Sequence, residues 1–297
     1  MPAPFTLEAA PLRLVGRRFK AGFHCHSTNS DGGLSPRETA ERYRARGYHC
    51  FGLTDHRTVT LLDGVGGTDF LALPSTENGG DPDVIGVGVQ AAVPVELPLA
   101  ERAARLAAQG GVTIAAHPTD CGAAPAAYAN CPALMALELY NAYCDAAYAN
   151  GYATELWDLL LGQGVRLWGV AGDDAHLNPQ KRHFSDVGFG WVEVWADRLT
   201  PDAVLAALKH GRFFSTQGPT FEEIEVTPTA LRVACSPVQQ VRWRTFGKVG
   251  YVEHAPAGAS LTASILPPWF RPRGYVRVEL LDAHHRRAWS NPFFVAG

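Results

Sequence analysis

The chain has 297 residues, 46% of them apolar, and a net charge of −3. That length suits one large α/β domain, or a large domain with a smaller one, and the charge argues against a basic surface built for a nucleic-acid backbone. The first twenty residues lack a continuous apolar h-region, no run approaches the roughly 18 apolar residues of a membrane span, and the six cysteines form no C-x-x-C pair. Free thiols in a cytoplasmic protein with no membrane association are the expectation.

Along the chain, Phe23–His26 reads as a short strand. Ser35 then caps a helix over Pro36–Arg46, with Glu38 at the capping-box position and Gly47 as its stop. Cys50–Thr54, Phe70–Pro74 and Val84–Val89 read as strands. Pro98–Gln109 is the second helix, ended by Gly110-Gly111. Val112–Ala116 and Ala133–Leu139 are strands, Tyr152–Leu161 is a helix, and Val165–Ala171 and Trp191–Trp195 are strands. Pro201–His210 is a helix capped by Thr200. Strands alternating with helices predict a largely parallel sheet with helical cover, in a barrel that is irregular or seven-fold. After Gly218-Pro219 the texture changes to short β-type runs, from Ile224–Val226 to Asn291–Ala296, which predict a small antiparallel β-domain. The expected division is residues 1–219 and 220–297.

Polar residues collect just after the strands. His24 and His26, at i and i+2, share one strand face, where two imidazoles can share a metal ion. Cys25 points the other way, as a core thiol. Asp31 follows in Ser30-Asp31-Gly32-Gly33, then Thr54-Asp55-His56, Glu77, His117-Pro118 and Asp173-Asp174-Ala175-His176. Singly, His56 could cap a turn, Glu77 could be a solvated charge and His117 a core histidine. Their recurrence at successive strand ends argues for a common site. The Asp-x-His pair repeats the i, i+2 spacing from a distant strand, so more than one ion is expected, with Glu77 the natural bridge. Arg57 and Lys181-Arg182 sit in loops from which they could clamp a phosphate. His254, His284 and His285 lack the strand-end setting and read as surface residues.

In order, spacing and flanks, these motifs resemble those of the PHP (polymerase and histidinol phosphatase) superfamily over roughly residues 20 to 219. Glu-Leu-Tyr-Asn ending at Asn141 and Gly-Arg-Phe-Phe-Ser-Thr-Gln-Gly-Pro resemble stand-alone members with a C-terminal β-domain. The resemblance implies an α/β fold, a distorted seven-stranded (β/α) barrel, and two or three divalent ions (Zn, Mn or Fe). It implies His24, His26, Glu77 and Asp174 around the first ion, Glu77 and His117 on the second, and Asp31, His56 and His176 on a third. Many members add a histidine to the second ion. This chain has none between His117 and His176, and Glu138 is the expected substitute. The implied activity is hydrolysis of a small phosphorylated substrate, with His56 or His176 protonating the leaving oxygen and Arg57 and Arg182 holding the phosphate. The alternatives are a carboxylic ester or carbamate hydrolase and a non-catalytic metal-binding domain.

Overall fold

The computed structural model describes residues 5–8, 11–62, 64–181, 184–247 and 250–296. Its first half contains β1 (Leu12–Val15), β2 (Arg18–Gly22), α1 (Pro36–Ala45), β3 (Cys50–Leu53), β4 (Leu71–Asn78), β5 (Val84–Val87), α2 (Leu99–Ala108), β6 (Val112–Ala115), α3 (Pro125–Ala129) and β7 (Ala136–Asn141). Then come α4 (Ala142–Tyr148), α5 (Thr154–Gly162), β8 (Trp168–Gly172), β9 (Trp191–Trp195), α6 (Pro201–Lys209) and β10 (Phe213–Thr216). The remainder is all β: β11 (Phe221–Thr227), β12 (Ala230–Val238), β13 (Gln240–Arg244), β14 (Gly250–His254), β15 (Leu261–Ile265), β16 (Tyr275–Leu281), β17 (Arg287–Ser290) and β18 (Phe293–Phe294).

The caps form where the sequence places them. Ser35 and Glu38 close a reciprocal capping box on α1, and Thr200 accepts from the Ala203 amide at the start of α6. Each helix covers the sheet with a narrow apolar stripe. On α2 this is Leu99, Ala103 and Leu106; on α6 it is Val204, Ala207 and Leu208.

The long sheet runs β14-β13-β16-β17-β10-β9-β2-β3-β4-β5-β6-β7-β8, and β8 comes back against β9 and β10. Two features depart from the expected parallel barrel. First, among the described strands only β2–β3–β4 and β6–β7–β8 pair in parallel, while β5 runs antiparallel to both β4 and β6, and β9 antiparallel to β2. The cause is local: residues 79–83 alone join β4 to β5, too short a connection for a helical crossover, so the two strands form a hairpin. Second, the all-β part is not a separate sheet. β17 pairs with β10 and continues the long sheet, whereas β1 crosses to pair with β11 in a second antiparallel sheet, β1-β11-β12-β15. The cores follow suit. Trp289, from the all-β part, packs against Tyr140 and Tyr152 in the core that also holds Trp157.

Candidate metal centre

The His24–His26 segment leaves β2 and the Asp174–His176 segment leaves β8. They lie side by side because Cys25 bridges Ala175 and the His26 amide donates to the Ala175 carbonyl at 2.9 Å. The i, i+2 alternation then puts His24, His26, Asp174 and His176 on one side and the buried Cys25 and Ala175 on the other. Asp55, fully buried, organises the loop that carries Asp31. It accepts from the Ser27 amide and hydroxyl (both 2.7 Å), the Ser30 hydroxyl (2.8 Å) and the Thr60 hydroxyl (2.6 Å). Backbone strain collects here: Arg57, His117, Asp174 and Leu177 all adopt positive φ.

Glu77 is at the centre, inside β4 rather than beyond a strand ending at Pro74. Its Oε2 lies 3.3 Å from His24 Nε2, 3.3 Å from His26 Nε2 and 3.1 Å from His56 Nδ1. Its Oε1 accepts from His117 Nε2 at 2.9 Å. Asp174 Oδ1 lies 3.4 Å from His24 Nε2 and 3.1 Å from His26 Nε2. Asp31 faces His176 Nε2 at 3.3 Å and His56 Nε2 at 3.5 Å. The His26 ring is sandwiched between those of His56 and His176, 4.4 Å from each. Three donor sets lie close enough to share an ion: His24/His26/Asp174, His24/Glu77/His117 and His26/Asp31/His56/His176.

Donor chemistry fits a divalent cation. His24 Nε2 and Glu77 Oε2 are buried and make no hydrogen bond despite their closeness. An unsatisfied buried polar atom is costly, and a cation between these groups removes the cost. Ionisation agrees. Burial opposes charge on His24, yet Asp174, Glu138 and Glu77 hold its pKa well above the usual imidazole value. Burial likewise opposes charge on His117, but the hydrogen bond to Glu77 pushes it up to about 10. Glu77 and Asp174 are held well below the carboxylate range, against their burial, by the surrounding rings. His56 goes the other way: burial lowers its pKa and the neighbouring His26 adds to that. The cluster concentrates acceptors and lets ring protons balance them, a role that a metal ion also fills.

Glu138 stands behind the cluster rather than in it. Its Oε1 is 3.0 Å from His24 Nδ1, and its Oε2 accepts from the His117 amide at 2.8 Å and Asn141 Nδ2 at 2.9 Å. A side chain at Gly172 would collide with Oε1, so that glycine makes room for the contact. Asn141 also donates to Asp174 Oδ2 at 3.1 Å. Asp173 points away, accepting from the amides of Gly188, Phe189 and Gly190 and from the Tyr48 hydroxyl. Sequence reasoning missed Asp83, whose Oδ2 is 3.8 Å from His117 Nε2. The Gly-Gly-Asp-Pro-Asp stretch after Glu77 is a tight-turn signal that would have placed it beside Glu77.

A cleft of about 160 Å³ opens over Glu77, walled by His26, Asp31, His56, His117, Asp174 and His176 and by Asp120, Tyr143, Cys144 and Tyr148. It adjoins a larger cavity of about 420 Å³ lined by Tyr143, Ala146, Ala147, Tyr148, Phe184 and, at its rim, Lys181 and Asp31. Tyr143 and Tyr148 face this space, whereas Tyr140 and Trp157 are core. Arg57 is exposed and its guanidinium lies over Gly79, outside the lining of the cleft. Arg182 falls outside the described residues.

No family model matches the chain. A 5′-3′ exoribonuclease of Haemophilus influenzae is 48% identical over 44 residues, a stretch covering 15% of this chain and only 16% of that relative. A solved two-domain protein from Bacteroides vulgatus, described as containing a predicted PHP-like metal-dependent phosphoesterase, superposes with a TM-score of 0.53 at 14% identity. The match covers 90% of this chain and 91% of that one. A protein from Bifidobacterium adolescentis, named as a candidate metal-dependent phosphoesterase, aligns over 63% of this chain and 96% of its own at 15% identity. Its TM-score of 0.44 is too slight to argue from. The Bacteroides likeness runs through both parts of the molecule and agrees with the ordered His, Asp and Glu motifs. The chain shares its fold with that Bacteroides protein.

Proposed function

We propose that the chain is a metal-dependent hydrolase of small phosphate esters. The observation that carries this reading is Glu77: a fully buried carboxylate whose two oxygens face four imidazoles at the floor of an open cleft. His24, His26, Glu77 and Asp174 would hold one ion, and Glu77 with His117 a second. Asp31, His56 and His176 would form a third position. When bound, divalent ions supply charge neutralisation at phosphoryl oxygens and a water acidic enough to attack near neutral pH.

The protein's own groups orient and shield this chemistry. Glu138 fixes the His24 ring through Nδ1 and so turns Nε2 toward Glu77 and Asp174. Asn141 links Glu138 to Asp174 and keeps the two carboxylates in register. Tyr143 packs on His176 with ring centroids 4.8 Å apart and separates the cleft from the outer cavity. His56 and Asp31 are the open edge, with side chains 36% and 39% exposed. Burial lowers the His56 pKa, which favours the neutral ring that a metal ion needs; with no ion at the third position, the same ring at the open edge would be placed to exchange a proton with a leaving oxygen. Lys181, at the rim, would steer an anionic substrate. An open cleft leading to the cluster favours catalysis over a purely structural metal.

A second reading, carboxylic ester hydrolysis, is favoured by one feature. The cavity beside the cleft is lined by Tyr143, Ala146, Ala147, Tyr148 and Phe184, with a single ammonium, Lys181. Such walls suit an apolar leaving group.

The test is hydrolysis of phenyl phosphate, a 5′-nucleotide and phenyl acetate by Mn- or Zn-loaded protein, with Asp174→Ala as control. Phosphate turnover that vanishes in the variant is the expected result. Turnover of phenyl acetate alone would overturn it in favour of the ester hydrolase.

A further inference from the structure

The His117–Glu77 position has too few ligands if Glu138 is its third member. Both Glu138 oxygens are already engaged, Oε1 with His24 and Oε2 with the His117 amide and Asn141. Another carboxylate stands near the His117 ring nitrogen. Asp83 Oδ2 is 3.8 Å from His117 Nε2, the same nitrogen that meets Glu77 Oε1 at 2.9 Å. Asp83 is not an incidental surface charge. Its side chain is only 23% exposed, and its carbonyl accepts from the Ala116 amide, fixing it in register beside His117.

The turn that presents Asp83 is held from behind. Arg102, 1% exposed, reaches out of α2 and donates to the carbonyls of Asn78, Gly79, Gly80 and Pro82 at 2.6–2.8 Å, and to that of Leu97 at 2.9 Å. Gly80 adopts φ +122°, and a side chain there would meet the Val95 carbonyl at 2.5 Å. A buried guanidinium spent entirely on backbone carbonyls costs desolvation, and here it fixes a five-residue hairpin turn whose last member faces the cluster.

Resting on the metal-centre reading above, we infer that Asp83 is the third protein ligand of the His117–Glu77 position and that Glu138 is not a ligand. Arg102 is its positioning residue. Two carboxylates and one imidazole make an oxygen-rich donor set, which favours Mn²⁺ or another hard divalent ion over Zn²⁺. The His24/His26/Glu77/Asp174 position, with two imidazoles, is the better zinc site.

The test counts metal rather than turnover. EDTA-stripped full-length protein is loaded with MnCl₂ or ZnCl₂, freed of excess ion, and measured for bound metal by mass spectrometry and for Mn affinity by calorimetry. Asp83→Asn should lose one Mn equivalent, or bind it about ten-fold or more weakly, as His117→Ala does. Asp83→His should regain that equivalent with Zn²⁺ and not with Mn²⁺, which also shows that the fold survives substitution there. Glu138→Gln should keep the wild-type number of equivalents. Wild-type Mn uptake in Asp83→Asn, with loss in His117→Ala, would overturn the assignment and leave the metal centre standing. No metal uptake by the wild-type protein would overturn both.

Discussion

Two buried clusters of charge in this molecule invite comparison. One joins α5 to β16. Arg277, fully buried over the Trp157 ring, donates through Nε and Nη2 to Asp158 at 2.8 Å each, and the Tyr275 hydroxyl and Arg244 add bonds to the same carboxylate at 2.7 and 2.9 Å. Only Arg277 Nη1 lacks a hydrogen bond, and Glu279 lies 3.6 Å from it. The other cluster surrounds Glu77, where acceptors and ring nitrogens converge and Oε2 has no hydrogen bond at all. The first cluster supplies its own counter-charge and stitches the all-β part to the rest. The second leaves acceptors and ring nitrogens unmatched, where a divalent cation could supply the missing charge. Buried charge that is complete on its own reads as architecture, and buried charge that is incomplete reads as a site.

Substitutions should separate the two kinds. On the proposed hydrolase reading, the largest effect is expected for Glu77→Gln, which should cut turnover by about 10³-fold or more, the several kcal/mol that charge neutralisation by bound metal is worth. Steady-state kinetics on the metal-loaded protein reads this. Asp158→Ala should leave metal equivalents unchanged but strand Arg277 in the interior, lowering stability by about 3–5 kcal/mol in urea unfolding. If it also emptied the metal centre, the two clusters would be coupled and the contrast would fail. Glu138→Gln should weaken metal binding by about 10–100-fold without changing stoichiometry, because it frees the His24 ring rather than removing a ligand.

The smallest effect is a pH dependence confined to the metal-free protein. His24 and His117 have raised pKa values in the folded state. Their contribution is therefore complete below the unfolded imidazole value of about 6.5 and is lost as pH rises, for His117 through about 10. Glu77 and Asp174 have depressed values, so their contribution fails only in acid, as pH falls through and below the normal carboxylate range. In EDTA, Tm should decline between pH 6.5 and 10, and added Mn²⁺ should flatten the decline. A Tm independent of pH over that window would show that ring protons do not balance the cluster.

The closeness of His24, His26, Asp174 and His176 was legible in the sequence because it rests on local spacing. His24/His26 and Asp174/His176 share a face by strand alternation, and the structure lays the two segments against each other. Helix caps at Ser35 and Thr200 are equally local. What escaped depends on pairing between distant residues. Asp83 reaches His117 only because β4 and β5 form a hairpin and β5 pairs with β6, a register that periodicity does not encode. The place of Glu138 depends on which side of β7 faces His24, and at a strand buried throughout, alternation in hydrophobicity is absent. The continuation of the long sheet through β17, and the exchange of β1 into the second sheet, are pairings between chain ends that no local pattern announces.

The most direct measurement is anomalous diffraction at the Mn and Zn edges from crystals of the metal-loaded protein. The account predicts at least two peaks in the cleft, one bounded by His24, His26, Glu77 and Asp174 and one on the far Glu77 oxygen beside His117. A cleft without anomalous density under saturating metal, or peaks that avoid Glu77, would contradict it.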